Sequence, residues 1–227
     1  MKLLNNFNSA NFRGIDLNSA DLQGRQLARA DLSQASLVGA NLRGADLVGA
    51  FLTDANLRGA DCSQANLSRA HLSYAQLTDC NFNGANLSRA YLRNAVLSKA
   101  DASCCDLQDA CLEGTQLESA NLRGSRLQRA NLNHSKMVNS DLSSADLRDG
   151  MLVGANLLNA NLKGAILWRT DLTNANLKGA NVENACFGAN LGISPEVRKE
   201  LLQRGAIFQD SPPDLAEWLE GFRSIVE

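Results

Sequence analysis

Residues 40–60 read ANLRGADLVGAFLTDANLRGA, and their period is five. Working outward, a Leu or a residue standing in for it recurs at every fifth position from Phe7 to Phe187. That makes 37 units without an insertion or deletion. Twenty-nine of these central positions are Leu; the others are Phe7, Phe12, Cys62, Phe82, Ala102, Met137, Val182 and Phe187. Two residues before the centre, Ala fills 26 of 37 positions, and Asn or Asp precedes the centre directly in 23 of 37. The two residues after it are mostly Ser, Arg, Lys, Asn, Gln, Thr or Gly.

A helix cannot use this pattern. At ~100° per residue a step of five advances ~140°, which would spread the leucines over every face. Extended chain can use it, because residues two apart share a face. Ala and Leu then point one way and the Asn or Asp between them points the other. Five is odd, so the chain must turn once per unit, and Gly, Asn and Ser suit turns. Turning repeatedly with one hand yields a coil lined inside by Leu and Ala. Each coil's backbone pairs with the next at ~4.8 Å. Proline would remove a donor from that ladder, and none occurs before Pro195.

The unit A(D/N)LXX, unbroken over residues 5–187, resembles that of the pentapeptide-repeat superfamily. The resemblance implies an all-β solenoid: a right-handed quadrilateral parallel β-helix with four units per coil. Thirty-seven units would then make about nine coils, with a small C-terminal α-helical cap. The expected division is a β-helix over 1–190 and a cap of two short helices over 191–227.

With four units per coil, residues twenty apart stack. Cys62, Phe82 and Ala102 then share an interior column, so the one bulky mid-rod centre lies between two small ones, as close packing requires. One outer column runs Asp21, Asn41, Asp61, Asn81, Asp101, Asn121, Asp141, Asn161, Asn181. Alternating carboxylates with amides avoids like charges at ~4.8 Å, and the reading is structural, with these groups satisfying turn backbone. A second column departs from the motif: Asn11, Asp31, Phe51, His71, Tyr91, Cys111, Asn131, Met151, Asp171. Phe51, His71, Tyr91 and Cys111, with Tyr74 on the same wall, form the candidate protein-binding patch, since contiguous outer apolar surface marks contact sites. Met151, Val153, Leu158, Ile166 and Trp168 make a second outer apolar group, which the tail can fold over. An arginine stripe, Arg29, Gly49, Arg69, Arg89, Asp109, Arg129, Asp149, Arg169, is blunted by acids and reads as a solvated face. Ile15 and Arg25 take inward positions normally given to Ala, so an irregular first coil is expected.

Solenoids need closed ends. The repeat phase ends after Phe187, and Ser194-Pro195-Glu196 is a helix start, with a helix over Pro195–Arg204 stopped by Gly205. A second start at Asp210-Ser211-Pro212 precedes Leu215, Trp218, Leu219 and Phe222 at helical spacing. Trp218, Leu219 and Phe222 are read as a lid on the last coil. The N-terminal end, with Leu3, Leu4, Phe7 and Phe12, is less protected and open to pairing with a second copy.

The chemistry of catalysis is missing. No phosphate loop, dinucleotide fingerprint, zinc-binding helix or C-x-x-C occurs, and His71 and His134 lie on different columns. No metal or other cofactor is expected. Cys62, Cys80 and Cys105 read as interior fillers, and Cys104, Cys111 and Cys186 as thiols open to reaction. A net charge of −2 argues against direct nucleic-acid binding. No apolar segment long enough for a membrane span or secretory signal occurs, so the cytoplasm is the expected compartment. The functional expectation is therefore a non-enzymatic scaffold or protein–protein interaction module, a bacterial regulator, whose partner is an unknown protein. The resemblance supplies an alternative: some members bind DNA gyrase or topoisomerase by imitating duplex DNA and so confer resistance to inhibitors. Such mimics are acidic, whereas residues 1–190 here hold 18 basic and 17 acidic residues.

Overall fold

A computed structural model describes residues 6–210. Its repeating element is one bridge residue, one centre and a two-residue turn. Every bridge from Asn6↔Gln26 to Asp171↔Leu191 is parallel and joins residues twenty apart. A coil is therefore four units, and a three-unit coil is excluded. The chain is a β-solenoid with four ladders of rungs, one on each wall.

Three hydrogen bonds per unit hold neighbouring coils. In the unit centred on Leu52, the Leu52 amide donates to His71 at 2.7 Å, the Asp54 amide to Ser73 at 3.1 Å and the Phe51 amide to Ala30 at 2.9 Å. The turn is closed by the Ala55 amide on the Leu52 carbonyl at 3.0 Å. Its third residue has positive φ throughout, as in Asp54 at 57° and Gly59 at 64°. A type II turn places φ > 0 there. Gly, Asn, Asp, Ser and Arg are the commonest residues at this left-handed position; no β-branched residue occupies it.

Inside, Leu and Ala are buried almost completely from Leu27 to Ala165. Cys62, Phe82 and Ala102 are all buried, so the small–large–small column packs as its sizes require. Where Ala gives way to Thr115, Ser125, Ser135 or Ser140, the buried hydroxyl bonds the carbonyl three residues back at 2.7–2.8 Å. Thr170 reaches Leu147 at 2.9 Å. No inward polar hydroxyl of this set is left unpaired, which is why Ala can be replaced there.

The two ends differ. At the first coil Phe7, Phe12, Leu17 and Leu22 are only half-buried, and Ile15 is exposed. Ile15 does not enter the core, and Arg25 is half-buried there. At the other end the backbone register outlasts the sequence motif by one unit: Leu191 still bridges Asp171. β1 (Cys186–Phe187) is followed by α1 (Pro195–Gln203). Ser194 caps α1 by accepting the Val197 amide, and the helix ends one residue before the expected Arg204. Arg204 instead donates to the carbonyls of Leu177 and Ala180, which no following coil covers. After Gly205 (φ 86°), β2 (Ile207–Phe208) returns to pair in parallel with β1, a strand the sequence did not announce. Phe208 stacks on Phe187 at 5.2 Å. The second expected helix, with Trp218, Leu219 and Phe222, lies outside the described residues. Among those described, no helix is long and apolar enough to cross a membrane.

Candidate functional site

The aromatic column exists as read. Phe51, His71 and Tyr91 occupy consecutive rungs of one wall. Because rungs repeat at the strand spacing, planar side chains on them must stack. The rings of Phe51 and His71 lie 4.9 Å apart at 18°, and those of His71 and Tyr91 4.9 Å apart at 16°. Such contacts add to simple burial, yet Phe51 and Tyr91 remain 44% and 49% exposed. The stack is ordered by the backbone and still open to solvent.

Cys111 follows on the next rung, half-buried. Tyr74 is 52% exposed at the turn after Leu72 and takes no part in the ring stack. The structure thus joins four of the five patch residues on one ladder and sets Tyr74 at the wall's edge. Sequence reading missed Leu191, which ends the same ladder and is 63% exposed. A triplet ANL at 189–191, shifted by one residue, was the available signal. Met151 lies between, also exposed.

The second apolar group is partly a correction. Ile166 is buried at 2%, one rung before Cys186, and Trp168 packs against Gly188. Only Met151 of that group is a large exposed side chain. Cys186 is likewise corrected: it is buried under β2, with Sγ 3.4 Å from Gln209 Oε1, and burial pushes its thiol up to about 11. Burial raises Cys105 to about 12 and Cys80 well above an ordinary thiol. Cys104 is exposed.

The Asp/Asn column is wired into the fold. Asn41, Asn81, Asn121 and Asn161 each donate Nδ2 to the Asp one coil before, at 2.9–3.1 Å. Each Oδ1 also accepts an amide two residues on, as Ser103 gives to Asp101 at 3.0 Å. One oxygen of each carboxylate is taken up by the fold, and among the described residues no group of His, Cys, Asp or Glu is placed to hold a metal ion.

The arginine corner borders the aromatic wall. Arg129 grips Asp109 through Nε and Nη2 at 2.7 and 2.9 Å. Those hydrogen bonds hold the Asp109 carboxyl below the usual range.

Comparison with known proteins fits this geometry. The sequence profile for pentapeptide repeats matches eight copies over residues 5–34, 35–73, 75–114, 110–149 and 151–191. A search of curated proteins found no match. Among solved structures, HetL, a pentapeptide repeat protein involved in heterocyst differentiation regulation in the cyanobacterium Nostoc sp. strain PCC 7120, is 34% identical. It covers 79% of this chain and 84% of its own, with a TM-score of 0.72. A pentapeptide repeat protein of the Arabidopsis thaliana thylakoid lumen is also 34% identical, over 49% of this chain and 71% of its own, at a TM-score of 0.33. QnrB1, a plasmid-mediated fluoroquinolone resistance protein, is 16% identical over 90% of this chain and 96% of its own, at 0.41. With its repeats matched over most of its length and its rungs twenty residues apart, this chain belongs to the pentapeptide repeat family.

Proposed function

We propose that the chain is a non-enzymatic interaction module of the bacterial cytoplasm that holds a partner protein on the wall bearing Phe51, His71 and Tyr91. The observation that carries this reading is the part-exposed, near-parallel ring stack at positions where the motif asks for Asn or Asp. Three rungs are given up to residues that do nothing for the amide wiring seen on the opposite wall. Rigid aromatic surface costs little conformational entropy when covered and is enriched where proteins bind one another. The similarity to HetL supports a regulatory setting.

In this reading the rod has about nine coils. The half-buried first coil is where a second copy would pair. The gyrase-binding alternative gains nothing from the charge of residues 1–190, which is close to balanced.

The test is affinity capture from native lysate, read by mass spectrometry, with the full chain and with Phe51→Ser/Tyr91→Ser. A protein held by the native chain should be lost from the variant, with the variant still folded at the capture temperature. Equal capture by both would remove this wall from consideration.

A further inference from the structure

The aromatic wall does not stand alone. The turn from Leu67 to Ala70 carries the chain from the rung at Asn66 to the rung at His71, and Arg69 forms its tip at φ 59°. One coil on, Arg89 does the same beside Tyr91. On the neighbouring wall, against these two tips, lies a shallow hollow of about 360 Å³ whose floor includes Ser68 and Ser88. Small residues make the depression, and the arginines form one rim.

The charges in the hollow do not cancel. Asp106 and Asp109 also line it, but each is already engaged. Arg126 Nη1 is 3.3 Å from Asp106 Oδ2, and Arg129 holds Asp109 with two bonds. Arg89 reaches Asp109 only at 3.9 Å with its side chain 62% exposed. Arg69 makes no ion pair among the described residues. Positive charge is therefore left at this edge of the aromatic stack, whereas at the other edge Arg93 is paired with Glu113 at 3.0 Å.

We infer that this edge and the ring stack form one site for an acidic segment of a partner protein, which lays an apolar side chain on Phe51, His71 and Tyr91 and sets a carboxylate between Arg69 and Arg89. The inference rests on the proposed function and adds the partner's charge and the second half of its site. Guanidinium groups suit carboxylates because their planar donors match both oxygens. The serine hydroxyls can donate to the same group. Nucleic acid is the poorer fit. It demands phosphate neutralisation along a strand, whereas here the positive run spans Arg69 and Arg89, about 5 Å at the coil spacing, before Asp109 interrupts it.

The experiment uses the full chain and fluorescence anisotropy. The probes are a labelled twelve-residue peptide of Glu, Asp, Phe, Leu and Gly, the same peptide with Gln and Asn for its acids, and a twelve-nucleotide thymidine oligomer. The acidic peptide should bind, more weakly as salt rises, and the neutral peptide about tenfold more weakly. Arg69→Glu/Arg89→Glu should lose about tenfold for the acidic peptide; Arg69→Gln/Arg89→Gln, which keeps the turn and most of the stem, should lose less but in the same direction. If both arginine pairs bind like the native chain while Phe51→Ser/Tyr91→Ser weakens binding, the acidic-segment inference falls and the aromatic wall stands. If the aromatic variant also binds normally, both fall. Tighter binding of the oligomer than of the acidic peptide, or no binding of the acidic peptide, would overturn the inference as well.

Discussion

Two ladders on this rod obey the same geometry and differ in what they leave exposed. Both place planar groups on rungs twenty residues apart. On the Asp/Asn ladder, each amide donates to the carboxylate below it and each Oδ1 accepts an amide of its own turn. Every Oδ1 of the Asp residues that pair with an Asn on this ladder is engaged within the rod. On the aromatic ladder the rings stack on each other, and roughly half of Phe51 and Tyr91 faces solvent. The lesson is that stacking alone does not mark a site. What distinguishes a binding wall from a structural one is bonding capacity and apolar area left unused.

The largest effect on stability should come from breaking the structural ladder. Asp101 accepts from the Ser103 amide, the Ser103 hydroxyl and Asn121 Nδ2. Asp101→Ala strands all three donors, and urea titration should find a loss of about 2 kcal/mol. Asp101→Asn keeps an acceptor for the turn and imitates the pairing of Asn181 with Asn161 at 3.2 Å, so its loss should be under about 1 kcal/mol. A loss as large as that of the Ala variant would mean that charge, and not the acceptor, matters there. Smaller still, Phe51→Ser/Tyr91→Ser should cost less than about 1 kcal/mol, because exposed rings give up little burial. A larger cost would make the aromatic ladder structural and erase the contrast.

Thiol chemistry sharpens the difference between wall and core without altering stability. In the native chain Cys104 should react with a disulfide reagent at once. Cys62, Cys80, Cys105 and Cys186 should react only on unfolding, being buried; for Cys80, Cys105 and Cys186 burial also holds the thiol protonated at neutral pH. Prompt labelling of Cys186 would show that β2 leaves β1 in solution.

Much of this was legible in the sequence, because each unit states inside, outside and turn in five residues. The coil length came from the family resemblance, Phe82 between Cys62 and Ala102 agreed with it, and the aromatic column followed from the same spacing. What escaped the sequence lies where local rules stop. Leu191 keeps its rung while the motif has slipped by one residue, since the ladder is held by backbone bonds that do not depend on the side chain. β2 could not be read because two residues, Ile207 and Phe208, carry no periodicity; their pairing with β1 depends on how α1 turns the chain back. Cys186 looked like any outward residue of a unit and was buried by that same return. The arginine edge was visible as a stripe, but the engagement of Asp106 and Asp109 by other arginines is a matter of side-chain geometry.

The central claim is that one ladder binds and the other holds the rod together. Capture by the native chain, Phe51→Ser/Tyr91→Ser and Asp101→Asn should be quantified side by side at a temperature where all three are folded. The account predicts that the aromatic variant alone loses the protein that the native chain retains. Retention by all three, or equal loss from both variants, would contradict it.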